Sequence, residues 1–206
     1  MPNGLAARLR QDTAALHRQA EQGGLMRHLL AGHVDRAVYV RLLRALYPVY
    51  IELERSLSQH PGAAPAPHTD LARAPALASD LGHLYGPRWE RELLAVPAGV
   101  AYAARILAVA LERPPLLAAH AYVCYLGDLP GGQVLGRLVA RGLSLAGEAG
   151  TAFYRFPTIA DVAQSRRVFR AGLDALPLSA EDADLLVDEA RVAFTANIRV
   201  FEAVAS

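Results

Sequence analysis

The sequence has no lysine, and its 206 residues include one cysteine, one tryptophan and two methionines. A single thiol, Cys124, excludes an intramolecular disulfide framework and a cysteine-built zinc cluster, and it fits a reducing compartment. All 21 basic residues are arginines, so any anion site must be built from guanidinium forks. They stand against 20 acidic residues, and a net charge of +1 gives no argument for nucleic acid or another polyanion as partner. Strand-favouring residues are scarce: Val, Ile and Thr number 25, against 72 for Ala and Leu, a balance that favours helix over sheet. A membrane-spanning run is also missing. The longest strongly apolar stretch without a formal charge, Pro114 to Gly127, has 14 residues, short of the roughly 18 that a span needs. Met1 to Arg10 carries two arginines and no signal-peptide core, and the chain closes on a polar-faced helical pattern. These features predict a soluble cytoplasmic protein without a membrane anchor, folded as a single domain over residues 1–206.

What is present is helical periodicity. Leu5, Leu9, Leu16 and Ala20 recur at helical spacing, and Gly23-Gly24 closes that segment. Leu25 to Leu30 is a short apolar turn before Gly32. Asp35 is placed to cap a long helix to about Gln59, with Tyr39, Leu42, Leu46, Tyr50 and Leu53 on one face and Pro48 inside it. The prolines of His60 to His68 predict a loop. Helical patterns resume at about 71–85, 87–94 and 97–112, and Pro114-Pro115 opens another. That one reaches about Leu145, with a break or kink expected at Gly127-Asp128-Leu129-Pro130-Gly131-Gly132. Gly147 to Pro157 reads as loop or short helix, and Thr158 to about Leu176 as helix. Ser179 with Asp182 resembles a capping box for a last helix to Ala203. The expected class is all-α, with eight or nine helices.

Several positions can carry chemistry. His17 lies on the apolar stripe of the first helix and is either a hydrogen-bonded core histidine or an axial ligand to iron. The glycines of 127–132 let backbone approach a flat ligand, and Asp128 puts a carboxylate beside them; an ordinary capped corner is the alternative. Arg166 and Arg170 share a helical face at i,i+4, either to hold carboxylates or phosphates or as a solvated surface. Phe194, Asn197 and Phe201 share a face of the last helix. There is no Walker pattern, no His-Glu-x-x-His and no nucleophile elbow. Cys124 reads as a small buried residue.

In order along the chain, these segments resemble the haem (heme) oxygenase family. The most specific match is Ala119-His120-Ala121-Tyr122 through Tyr125-Leu126-Gly127-Asp128-Leu129-Pro130-Gly131-Gly132-Gln133, which is similar to the family's distal-helix signature. Leu16-His17-Arg18-Gln19-Ala20-Glu21 resembles the proximal-histidine segment. Leu46 to Tyr50, Leu84 to Trp89 and Phe156 to Ala160 also resemble family segments.

The resemblance implies an all-α fold with haem b held between a proximal helix and a kinked distal helix. It implies that haem is substrate and cofactor together, cleaved with O2 and electrons to biliverdin, ferrous iron and CO. His17 matches the iron ligand. Asp128 matches the carboxylate that orders distal water, and Gly127 and Gly131 match catalytic backbone positions packed on the haem face, continued by Gly132. Arg10, Arg166, Arg170 and Tyr122 match positions near the propionates. Phe194, Asn197 and Phe201 match pocket positions, and Glu21 one beside the proximal histidine. A transient electron donor is implied (ferredoxin, flavodoxin or reductase), with a biliverdin acceptor protein and no flavin or nicotinamide site in the chain itself. Pro130 stands where the family usually carries serine. Cys124 and Val123 stand where animal members carry arginine and threonine. A haem carrier or sensor on the same fold is the alternative, and Asp128, for which a carrier has no use, separates the two.

Overall fold

Capping chemistry sets the helix boundaries in the computed structural model, which describes residues 4–65, 68–147 and 149–205. Among these residues there are nine α-helices and no strand: α1 (Leu5–Gln22), α2 (Gly24–Leu30), α3 (Arg36–Gln59), α4 (Ala74–Leu84), α5 (Trp89–Glu92), α6 (Pro97–Glu112), α7 (Leu117–Gly142), α8 (Val162–Asp174) and α9 (Ala180–Ala205). Short 3-10 turns at Pro61–Ala63, His68–Leu71, Pro114–Leu116 and Ala152–Tyr154 join them. Asp35 caps α3 by accepting from the Val38 N–H at 2.9 Å. Asp161 does the same for α8 through Gln164 at 2.9 Å, so that helix starts later than the expected Thr158. At α9 the Asp182 N–H donates to Ser179 Oγ at 3.0 Å, and the Ser179 hydroxyl donates back to the Asp182 carboxylate at 2.8 Å. The capping box therefore closes through the hydroxyl.

Three expectations are modified. Gly24 opens α2 instead of belonging to a terminator, and Leu25 to Leu30 is the rest of that helix. The loops at His60 to His68 and Gly147 to Pro157 hold short 3-10 turns; Ala66, Pro67 and Glu148 lie outside the described residues, as do Met1 to Asn3. The helical assignment of α7 is not interrupted at Gly127 to Gly132, and none of those glycines takes a positive φ. Pro130 has no N–H, so the Leu126 carbonyl lacks its usual donor, but helical backbone continues on both sides. The helix stops at Gly142, where an added Cβ would lie 2.9 Å from the Gly32 carbonyl oxygen and from Val34 Cγ2.

α9 is the hub, packing against α1, α2, α3, α6 and α7. One buried charge cluster pins three of these helices. Glu189 of α9, 4% exposed, accepts the Arg105 fork from α6 and lies 3.0 Å from His120 Nε2 of α7. Burial pushes the Glu189 carboxyl up, but the bonds from His120 and Arg105 outweigh it and hold it below its ordinary value. On the far side Asp80 of α4 accepts the Ala152 and Phe153 N–H groups, both at 2.8 Å, and fixes the turn that packs beneath α7.

α3 and α6 approach one another closely at Gly99. A Cβ on Gly99 would lie 2.0 Å from the Ala45 carbonyl oxygen. Gly99→Ala is expected to cost about 1–3 kcal/mol by forcing the helices apart. Gly82→Ala, on an open stretch of α4 with nothing within 4 Å, is expected to gain up to about 1 kcal/mol. Urea unfolding of the two variants checks both signs.

Candidate functional site

α1 and α7 each pack against α8 and α9 but make little contact with one another, and the space between them is the candidate cleft. On the α1 wall stands His17, with half of its side chain exposed. It is therefore a cleft residue, not a core histidine. Its Nδ1 lies 3.5 Å from Glu21 Oε2 one turn on, and Nε2 is the nitrogen left for a ligand. The imidazole meets Phe194 of α9 edge-on at 6.0 Å, and Phe194 meets Tyr122 of α7 edge-on at 6.3 Å. Phe194 thus touches both walls.

Beside it, the Tyr122 hydroxyl sits 3.4 Å from Thr13 Oγ1. Burial raises the Tyr122 phenol, while the Thr13 contact and the charges of Arg170 and Arg10 pull it back. Groups from α1, α7 and α8 therefore converge at one end of the cleft. Arg166, one turn before Arg170, is partly buried, and its Nε is buried without a partner. Arg167 turns away to Gln164 and Asp161. On α9, Asn197 Oδ1 is likewise buried and unpaired, and Phe201 is partly buried. Unsatisfied polar atoms of this kind are what a bound polar ligand completes.

The α7 wall is bare. Gly127 and Gly131 are exposed, and a Cβ on either would meet nothing within 4 Å. Gly132 differs from its expected place with them. It is buried, and its added Cβ would lie 3.4 Å from the Tyr154 carbonyl, so it seats the helix on the turn behind.

Asp128 points inward from this wall and accepts a 2.5 Å hydrogen bond from the Tyr50 hydroxyl of α3. Burial raises its carboxyl to about 7, against the pull of the Tyr50 bond and the Arg73 charge. It can hold or release a proton at neutral pH. Cys124 lies close by, with Sγ 3.9 Å from the Tyr102 hydroxyl, and burial with the charge of Asp128 pushes its thiol to about 12. It stays protonated and is no nucleophile.

Tyr50 was legible only as a core position; the available signal was a phenol on a buried face, which needs a partner for its hydroxyl. Arg73, whose charge also pulls on Asp128, had no sequence signal, and Tyr125, whose phenol Asp128 pushes up, was visible only inside the distal-helix signature. Among the described residues no three His, Cys, Asp or Glu side chains come together as a metal cage. A single imidazole completes a metal's coordination only if a macrocycle supplies the rest. A groove of about 670 Å³ between α1, α2 and α9 is lined by Arg18, Gln22, Leu25, Phe201 and Glu202, and this is where the structure places Phe201.

The family model for heme oxygenase matches residues 3–203. The heme oxygenase of Porphyra purpurea is 38% identical over 205 residues, covering 98% of this chain and 87% of that protein. The crystal structure of heme oxygenase-1 from Synechocystis sp. PCC6803 in complex with heme superposes with a TM-score of 0.90 at 35% identity, covering 97% of this chain and 91% of the other. Heme oxygenase-2 from the same organism, in complex with heme and NO, gives 0.93 at 36% identity, covering 98% and 85%.

The raised carboxyl makes Asp128 a cost to folding. Its folded value of about 7 lies above the 3.8 of a free aspartate, so the native state binds the extra proton between those limits and stability falls as pH rises through them. Asp128→Asn is expected to stabilise the chain by about 2–4 kcal/mol at pH 8, with the gain fading towards pH 4. Denaturant titrations across that range check the sign.

Proposed function

The chain belongs to the heme oxygenase family, and on that premise we propose that it cleaves haem to biliverdin, ferrous iron and CO with O2 and electrons from a redox partner. The observation that carries this reading is Asp128, tuned to about 7 beneath the bare backbone of Gly127 and Gly131, with His17 on the opposing wall.

The residues fit haem. His17 would ligate the iron through Nε2 while Glu21 fixes the tautomer at Nδ1. Arg10, Arg166, Arg170 and Tyr122 would hold the propionates, and the orphaned Nε of Arg166 is one donor awaiting such a partner. Phe194, Asn197 and Phe201 would line the floor. Bound haem would supply the iron at which dioxygen is reduced and the porphyrin carbon that is oxygenated.

The chain's own task is to orient the macrocycle and control protons. Gly127 and Gly131 leave the α7 backbone bare, so it would lie close to a flat ring and limit by sterics the room left for dioxygen. Asp128 would hold a water in the cleft and pass protons through it, with Tyr50 fixing the carboxylate's direction. The one histidine on α7, His120, is fully buried against Glu189 and is not a distal acid. A haem carrier would have no need for a tuned carboxyl there. A ferredoxin, flavodoxin or reductase would deliver the electrons, and a biliverdin acceptor protein would take the product. Among the described residues no helix is long and apolar enough to cross a membrane, and the cytoplasm suits the lone buried thiol.

One equivalent of hemin with an electron donor in air is expected to lose its Soret band and yield biliverdin. Asp128→Ala is expected to retain hemin but to form biliverdin about 100-fold more slowly or worse. Hemin that stays intact through many equivalents of reductant in the native chain would replace the enzyme with a carrier.

A further inference from the structure

α9 forms a second surface with α6. The two helices run antiparallel: Arg113, just past the end of α6, lies 3.1 Å from Asp182 at the start of α9, and Arg105 meets Glu189 two turns further along. Between them lies a groove of about 530 Å³. Val192 and Ala196 of α9, which line it, lie about 200° around that helix from Phe194, so the groove is on the side away from the cleft. With Ala98 and Ala101 of α6 they make an apolar floor, and Val192 is 44% exposed there. Apolar surface left in contact with water in a concave trough is what a ligand with an apolar body covers.

The charge on the groove is of one sign. None of its nine lining residues is acidic, and three are arginines. The Thr195 hydroxyl donates back to the Arg191 carbonyl at 2.8 Å, and the Tyr102 hydroxyl is turned inward, 3.9 Å from Cys124 Sγ. Two of the arginines are already paired, Arg105 with Glu189 and Arg191 with Asp12 and Asp188. Arg199 is exposed, and among the described residues its side chain makes no hydrogen bond or ion pair. It stands about 15 Å along α9 from Glu189, at the end of the groove where α6 begins. The groove is thus an apolar trough with a free guanidinium at one end.

We propose that this groove binds a medium-chain carboxylate, with its head on Arg199 and its apolar tail over the floor of Ala98, Ala101, Val192 and Ala196 towards Tyr102. The carboxylate takes the guanidinium fork that no described residue of the chain uses, and the tail covers the apolar floor. One free cation matches one anionic head, and a cationic amphiphile finds no acidic lining residue to pair with. The volume lies in the range of small-molecule sites, roughly 300–1,000 Å³. The site stands apart from the heme oxygenase reading, because it shares none of the residues assigned to the cleft.

The test uses the full chain carrying 13C-methyl alanine and valine, with the Ala101 and Val192 signals assigned by their loss in Ala101→Ser and Val192→Ile. Decanoate, added below its micelle concentration, is expected to shift both signals saturably, with and without one equivalent of hemin. Decyltrimethylammonium, which has the same tail and the opposite charge, is expected to leave them in place. Arg199 is exposed, so its variants keep the fold. Arg199→Gln is expected to weaken decanoate binding about fivefold, and Arg199→Glu about tenfold or more. Signals that stay still with decanoate, that move equally with the cationic amphiphile, or that keep their decanoate affinity in Arg199→Glu overturn the proposal. A response that hemin abolishes also overturns it, because the amphiphile would then sit in the cleft.

Discussion

α9 keeps α1 and α7 apart, and the cleft exists because of that separation. The helix packs along both walls and reaches across to α3 and α6. Its Glu189, buried against His120 and Arg105, costs too much desolvation to be only a surface brace; breaking one partner would strand the others. One turn further along, Phe194 contacts His17 and Tyr122 at once. The spacing of the two walls is thus set by the helix that also forms the floor.

Within that spacing the two walls are chemically opposite. α1 offers a half-exposed imidazole whose inner nitrogen is committed to Glu21. α7 offers backbone, because Gly127 and Gly131 leave its outer face without side chains. The carboxyl between those glycines is turned inward to Tyr50 instead of outward to solvent. Burial and the Tyr50 bond pull its proton affinity in opposite directions, and the outcome near neutrality follows from that balance. The groups that set this carboxyl's proton affinity therefore lie in the core behind the helix. The departures at Cys124 and Pro130 belong to the same helix. Cys124 contributes a neutral thiol, and Pro130 removes an N–H without ending the helix.

Much of this was legible in the sequence. The caps at Asp35 and Ser179 and the bounds of α3 and α6 follow from local chemistry, which is the information a sequence carries most directly. His17, Glu21, Asp128 and the arginines were found because each belongs to a recognisable pattern. What was hidden is long-range. The Tyr50–Asp128 bond joins residues 78 apart in the chain, and Arg73 reaches the same cluster from a loop with no pattern of its own. Gly132 was grouped with its neighbours by sequence, but helical geometry turns it towards Tyr154, about 100° from Gly131 per residue step. α7 continues past Pro130 towards the expected end at Leu145 and stops at Gly142, without the break that was one of the two readings of the Gly/Pro cluster.

The account turns on His17 being the iron ligand opposite Asp128. The most direct measurement is the resonance Raman iron–histidine stretch of the ferrous hemin complex, in the native chain and in His17→Ala before and after addition of free imidazole. The stretch should be present in the native complex, absent in the variant and regained with imidazole. The same stretch in His17→Ala without imidazole would show that another residue binds the iron, and the arrangement of the two walls described here would be wrong.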